Sequence, residues 1–313
     1  MAGQTWVNNG EYMSSDNLSD VLRLAMQPLM RFRQHCSVDD AIGLGAGKTF
    51  HWDIYSDVAT QGTTLDELTE MPKTNFTVTQ GSLTLAERGN SVPYTGVLDD
   101  LSKHPVTVII HKALKNDANK AMETAAHAEF DDTLLVVTPT SGNSATAITV
   151  ETGGSATATN ALAMSNTHVK LIVDEMKERN IPTYDGANYA CIGRPSTFRA
   201  LKDDIEPYAA YTDRGYGSIL NGEIGRSYAG CRFFEQTEIA SEGWSGGVSD
   251  AAYFFGDDTV TEGIAIVEEI RGKIPTDFGR SKGVAWYAIN GFGIVHNETG
   301  AVQNRIIKWA SAA

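Results

Sequence analysis

The hydrophobic pattern of this chain is most regular between Ser102 and Asp132. Val106, Ile110, Ala113, Leu114, Ala118, Ala121, Met122 and Ala125 recur there at spacings of three and four. Lys112, Lys115, Asn116, Asn119, Lys120 and Glu123 fall largely off that stripe. The spacing predicts a helix of about 26 residues, ~39 Å long at 1.5 Å per residue. Pro105 occupies a first helical position and Ser102 is a candidate N-cap. The alanines suit close packing against a sheet, because most of the downstream chain reads as strand.

Upstream, residues 1–16 are polar. Leu18, Val21, Leu22, Leu24, Ala25, Pro28, Leu29 and Met30 then show helical spacing interrupted at Pro28. Lys48–Asp57 has the aromatic and β-branched content of a strand, and Asn75–Ala86 alternates as its antiparallel return. The ~17 residues between them are far longer than an ordinary hairpin loop. They are acidic, with Asp66, Glu67 and Glu70 against Lys73, and carry Leu65, Leu68 and Met71 as the only large apolar residues after Val58. Two strands cannot bury a face, so such a projection lies on something else: a lid in an enzyme, or an arm over a neighbour in an assembly.

Downstream, Thr133–Val137 reads as a short strand. Residues 138–163 are rich in Thr, Ala, Ser and Gly, read either as a hairpin turning at Gly153-Gly154 or as a low-complexity linker. Thr167–Arg179 is an amphipathic helix with Val169, Ile172, Val173 and Met176 on one face. Strands are expected at Tyr189–Ile192, Cys231–Ile239, Ala251–Phe255, Gly263–Arg271, Lys282–Val295 and Val302–Trp309. A helix is expected at Pro195–Leu201, with residues 202–227 irregular. The class is α+β, with a mixed sheet that closes late in the chain.

At 313 residues the chain can bury a large core. Asp and Glu outnumber Lys and Arg 39 to 25, a net charge of −14, which argues against a nucleic-acid reader. Cys36, Cys191 and Cys231 are widely spaced without a CxxC pair, which fits reduced thiols better than a zinc site or a disulfide framework. The N-terminus lacks a secretory pattern, and no apolar run reaches the ~18 residues of a membrane span. The chain is expected to be soluble and made in a cytoplasm.

Two motifs suggest chemistry, and neither fits its context. Gly47-Lys48-Thr49 would need a glycine at position 42 to make a P-loop, but Ile42 stands there, and a strand rather than a helix comes next. Gly243-Trp244-Ser245-Gly246-Gly247 satisfies G-x-S-x-G, with Asp257 and His296 following in the order of α/β-hydrolases. The sequence after Ser245 reads as turn and strand, where a nucleophile elbow needs a helix. The seven histidines form no ligand-spaced cluster. Acidic pairs such as Asp99-Asp100 and Asp257-Asp258 read as solvated turns and helix ends. No catalytic residue, cofactor or metal site is expected.

The order of elements, and the runs GKTFHWDIYSD, TVTQGSLTLAERGNSVPYTGVLDDLSKHP, LNGEIGRSYAGCRFFEQTEIA and KGVAWYAINGFGIVHNETGAVQNRIIKW, resemble the major capsid proteins of tailed phages of the Hong Kong 97 type. More closely, they resemble the short-tailed-phage family named for the coat protein of coliphage N-four. The resemblance implies a Hong Kong 97-type fold with an N-terminal arm (1–45), an extended loop (46–90), a peripheral domain (91–163) with a spine helix at about 105–131, an axial domain (164–275) and closing strands shared between the two (276–313). It implies hexamers and pentamers of an icosahedral shell around double-stranded DNA, within a virion made in a host cytoplasm. The implied partners are further copies of the chain, a portal protein, and scaffolding or decoration proteins, with no membrane. Leu65, Asp66, Glu67, Leu68, Met71 and Lys73 at the loop tip become expected assembly contacts. The alternatives are an encapsulin-like nanocompartment and a serine hydrolase using Ser245.

Overall fold

The computed structural model describes residues 28–39, 45, 47–56, 58, 62–68, 70–209, 227–239, 250–274, 277–278, 280–298 and 303–310. The helical pattern from Leu18 to Ala25, positions 210–226 of the stretch read as irregular and the G-x-S-x-G segment lie outside them. In chain order the elements are β1 (Ser37–Asp39), β2 (Thr49–Tyr55), β3 (Val78–Thr84), β4 (Ala86–Thr95), α1 (Gly96–Leu101), α2 (Val106–Asp131), β5 (Leu135–Pro139), β6 (Ile148–Glu151), α3 (Asn166–Glu178), β7 (Tyr189–Gly193), α4 (Arg199–Ala209), β8 (Cys231–Glu235), β9 (Ala252–Phe255), β10 (Val260–Gly272), β11 (Ser281–Ile294) and β12 (Ile306–Trp309), with a 3-10 turn at Phe32–His35.

The strands form a four-stranded sheet in the order β1-β10-β11-β4, a six-stranded sheet β6-β5-β12-β9-β7-β8, and a two-stranded ribbon β2-β3. The long helix α2 is found where its spacing predicts it. Its fully buried apolar residues are Val106, Ile110, Leu114, Ala118, Met122, Ala126 and Phe130, one every four positions. Each four-residue step advances the stripe by about 40° around a helix of 3.6 residues per turn, so the buried line winds about the axis. The helix therefore meets more than one layer in a single core. Val92, Tyr94, Val284 and Trp286 of the four-stranded sheet share that core with Phe32, and with Tyr253 and Phe255 of the six-stranded sheet. At its C-terminal end Phe130 lies 5.1 Å from Phe32 and 5.2 Å from Phe255 between ring centroids. Asp131 there accepts from Tyr253 Oη at 2.6 Å and pairs with Lys308 Nζ at 2.6 Å.

The six-stranded sheet is buried on both faces, as unbroken apolar strands require. Tyr253, Phe255 and Ile306 face α2, while Ala252, Phe254, Ile307 and Trp309 face α3 through Val169, Ile172, Val173 and Met176. Ser165 begins α3 with a reciprocal capping box to His168.

Several expectations are corrected. Ser102 is not the N-cap of α2: α1 precedes it, and Ser102 closes α1 by donating its backbone N–H to the Leu98 carbonyl, leaving Pro105 at the N-cap of α2. Ala113 is exposed, because a strict four-residue stripe passes it by. Glu123, placed on the polar side, is buried. The chain does not turn back on itself at Gly153-Gly154; β6 returns directly onto β5, with Ile148 opposite Pro139. Residues 202–209, read as irregular, continue α4. The strand β4 gives little apolar alternation and is held by its ladder with β11 from Asn290↔Ala86 to Ser281↔Thr95. It is an edge strand of its sheet, which is why Pro93 fits within it. β5 and β6 share a sheet with β7, β8 and β9, and β10 pairs with β1 and β11.

Glu123 joins three parts of the chain. Its Oε1 accepts from the backbone N–H groups of Arg31 and Phe32, both at 2.7 Å, and from the Gln236 side-chain amide at 2.6 Å. Its Oε2 accepts from the Arg33 backbone N–H at 3.2 Å. A carboxylate thus caps the 3-10 turn as a side chain caps a helix N-terminus. Arg33 then forks onto Glu262 at 3.0 and 2.8 Å.

Replacing Glu123 by Ala leaves the Phe32 and Arg33 backbone N–H groups and the Gln236 amide without this acceptor, while the Arg31 N–H keeps Gln236 Oε1 at 2.7 Å. Each buried donor left unpaired costs about 1–3 kcal/mol, so a loss of ~3 kcal/mol or more is expected in denaturant unfolding. A wild-type midpoint would refute the role of this carboxylate. On the same helix, burial pushes the Glu129 carboxyl up to about 7, with Asp132 adding repulsion and Arg88 and the Ile294 backbone N–H offsetting part of it. The folded value exceeds the unfolded one, so the native state holds this proton more tightly. Its contribution is present in full below the unfolded value near 4.5 and is lost as pH rises to about 7. Thermal melts of wild type should therefore fall more steeply across that window than those of Glu129→Gln; parallel profiles would refute it.

Candidate assembly interface

The ribbon begins where Thr49 follows Gly47-Lys48, so a strand occupies the place a P-loop would give to a helix. Its strands pair antiparallel from Thr49↔Thr84 to Tyr55↔Val78. Among the described residues the ribbon is anchored at its base. Leu83 and Leu85 are buried there against Phe50, Trp52, Ala265 and Ile289, and the Trp52 indole N–H donates to the Val295 carbonyl at 3.0 Å. Two glycines of β11 permit this approach. A Cβ at Gly291 would lie 2.5 Å from the Thr84 carbonyl oxygen, and one at Gly293 would lie 2.8 Å from Leu83 Cβ. Here β11 presents bare backbone because another backbone lies against it.

Beyond this base the ribbon carries apolar side chains into solvent. Tyr55, Phe76 and Val78 are exposed, and Leu68 in the loop is 96% exposed, with Leu65 and Met71 also more than half exposed. The Asp66 carboxylate accepts from the Leu68 backbone N–H at 3.1 Å, holding a local turn. Glu67 is exposed, and Lys73 pairs with Glu70 on the surface. All six residues expected at the loop tip thus lie on one exposed segment. Covering a large apolar side chain of this kind contributes roughly 1.5–3 kcal/mol, a gain that Leu65, Leu68 and Met71 leave unrealised within the chain.

A second exposed apolar group was not anticipated. Val97, Leu98 and Leu101 on α1, with Ile274 and Phe278 after β10, are all exposed. The Gly96 N–H donates to the Arg280 carbonyl at 2.9 Å, bringing α1 beside the β10–β11 connection. The sequence signal was Thr95 as an N-cap, accepting from Leu98 N, followed by leucines three apart.

Catalytic geometry does not assemble among the described residues. Ser245 lies outside them. His296 Nε2 is 3.9 Å from Asp258 Oδ2, a neighbour of the Asp257 named with the serine motif. No group of three or more His, Cys, Asp or Glu among the described residues could hold a metal ion. No described helix is long and apolar enough to cross a membrane. Cys36, Cys191 and Cys231 are free thiols. What the ribbon offers is a row of exposed apolar side chains.

Comparisons with known proteins show the family and the fold. Residues 80–304 match the model of a family described as phage capsid protein. No curated protein matches the chain by sequence. Among solved structures, the chain is similar to the capsid of cyanophage P-SCSP1u, at 12% identity and a TM-score of 0.68 over 96% of this chain and 94% of that one. It is also similar to the capsid of cyanophage Pam1, at 15% identity and a TM-score of 0.66 over the whole of both chains. The capsid of Ralstonia phage GP4 matches at 14% identity and a TM-score of 0.64 over 99% of each. The shared fold is of the Hong Kong 97 type.

Gly291→Val tests the seat of the ribbon. Its side chain would collide with the Thr84 carbonyl, so the ribbon base should detach and Trp52 fluorescence shift to longer wavelength. Overpacking of this kind costs about 1–3 kcal/mol. An unchanged Trp spectrum and midpoint would show that the ribbon does not depend on this contact.

Proposed function

This chain belongs to the phage capsid protein family, and from that premise we propose that its shell is icosahedral, built of hexamers and pentamers around double-stranded DNA. It is a structural protein rather than an enzyme, a major capsid protein of the virion that assembles with copies of itself. The observation that carries the proposal is the ribbon: anchored at its base, exposed beyond it, and tipped with Leu65, Leu68 and Met71.

In this reading residues 1–45 are the arm and 46–90 the extended loop. The helix α2 is the spine of a peripheral domain (91–163), followed by an axial domain (164–275) and closing strands (276–313). The tip residues Leu65, Asp66, Glu67, Leu68, Met71 and Lys73 lie on a neighbouring copy. Heterologous contacts of this type close into rings when the rotation per subunit divides a full turn. A chain of net charge −14 offers packaged DNA little electrostatic hold, which suits a wall that the DNA must leave. A portal protein, and scaffolding or decoration proteins, are the further partners of such a shell, and synthesis in a host cytoplasm goes with it. Kinship to the coliphage N-four coat proteins is proposed on the four sequence runs that carry the resemblance.

Replacing residues 60–72 by a short Asn-Gly turn tests the reading. Loop closure changes free energy only slowly with length, so the subunit should keep its melting temperature while particle yield by sedimentation collapses. Stable shells from the shortened chain would show that the loop is no intersubunit arm. An unfolded subunit would assign the loop to its own core.

A further inference from the structure

One face of α2 is charged against the balance of the chain. The protein carries 39 acidic against 25 basic residues, and many of its cations find a carboxylate. Arg179 pairs with Glu175, Lys202 with Glu235, Arg232 with Asp185 and Lys282 with Asp99. Lys112, Lys115 and Lys120 form no such pair among the described residues. The carboxylate between them, Asp117, is engaged elsewhere: its Oδ2 accepts from Trp286 Nε1 at 2.8 Å and from Asn90 Nδ2 at 2.9 Å. At 3.6 residues per turn, Lys112, Lys115, Asn116 and Asn119 fall within about 100° around the axis, with Lys120 at the border.

Beside this face lies a groove of about 450 Å³ between α2 and the strands β10 and β11. Lys112, Lys115 and Asn119 line its helix side, and the buried Ala118 and Trp286 its floor. An apolar floor suits lysine stems whose ammonium groups stay at the rim. Glu268 and Glu269 stand on the strand side, but arginines neutralise both, Arg33 pairing with Glu268 and Arg271 with Glu269. The charge left over is positive. Lysine and asparagine side chains are ordinary donors to a sugar-phosphate backbone and read no sequence there. From Lys112 to Lys120 the face runs ~12 Å at 1.5 Å per residue, the axial rise of roughly three to four base pairs. An acidic protein would meet the same charges, but a protein partner also needs large apolar anchors. Among the described residues, Val108 on α2 and Ile270 across the groove are the exposed large apolar side chains there, too few for such a footprint.

We propose that this face of α2 belongs to the inner wall of the shell and binds the phosphodiester backbone of the enclosed DNA through Lys112, Lys115 and Lys120. The proposal rests on the shell-forming reading and adds which side of the subunit meets the DNA. Each phosphate neutralised contributes about −0.9 to the slope of log affinity against log salt. Three lysines therefore give a slope of about −2.7, and affinity falls roughly 40-fold between ~50 and ~200 mM salt. The hold is weak and confined to one stripe, because the acidic remainder of the wall repels DNA.

Titration of free wild-type subunits with a short fluorescent duplex, read by anisotropy across that salt range, tests the ligand. The combined variant Lys112→Gln, Lys115→Gln and Lys120→Gln should melt as wild type and lose the salt slope. Each single replacement should lower the slope by about 0.9. Binding that survives the triple variant, or that salt does not weaken, overturns the inference. Poly-glutamate that displaces the duplex at a lower charge concentration than unlabelled duplex does would assign the face to an acidic protein instead. Amine acetylation of DNA-filled and DNA-emptied shells, mapped by mass spectrometry, tests the place. Lys112, Lys115 and Lys120 should be labelled in emptied shells and spared in filled ones. Equal labelling overturns this inference and leaves the shell standing. A wild type that forms no shells fails the proposed function, and the inner-wall assignment with it.

Discussion

The buried carboxylate of Glu123 is the constraint on which the arrangement of layers depends. A charge at 3% exposure is tolerated only when its oxygens are fully engaged. The groups engaging it come from the 3-10 turn at Phe32–His35 and from Gln236, just past β8. Thr237 joins the same crossing by exchanging backbone and side-chain bonds with Leu29. The segment entering from the N-terminus is therefore fixed between the long helix and the end of the six-stranded sheet. Phe32 is held at the point where Phe130 and Tyr253 meet.

From that anchor the molecule divides into a part that satisfies itself and a part that does not. The six-stranded sheet buries both faces, and α2 spans from it to the four-stranded sheet, where Val267 and Ile270 of β10 remain exposed. The ribbon and α1 behave differently. They are joined to the body by specific close contacts, Gly291 and Gly293 beneath the ribbon and the Lys282–Asp99 pair beside α1 at 2.9 Å, yet they expose their apolar residues. Rigid attachment with unsatisfied surface suits a subunit whose further stabilisation comes from copies of itself. It costs less conformational entropy on assembly than ordering a loose loop would.

The sequence by itself determined the helix α2 to within a residue at each end, the antiparallel ribbon with its long acidic loop, and most strands of the six-stranded sheet. In each, one physical signal dominates: four-residue apolar spacing, β-branched alternation, or unbroken apolar runs. It also carried the fold class and the family, through the order of these elements rather than any single motif. Tertiary structure decided the rest. β4 is held by its ladder with β11 and not by its own side chains, so its pattern was silent. Glu123 looks like a surface residue until the backbone donors of a segment 90 positions away converge on it, and no local spacing records such a meeting. His296 read as the last member of a hydrolase motif and instead faces Asp258. That β2 is paired on one edge alone among the described residues likewise follows from pairing, because hydrogen-bond direction along a strand is fixed only once a partner occupies one side.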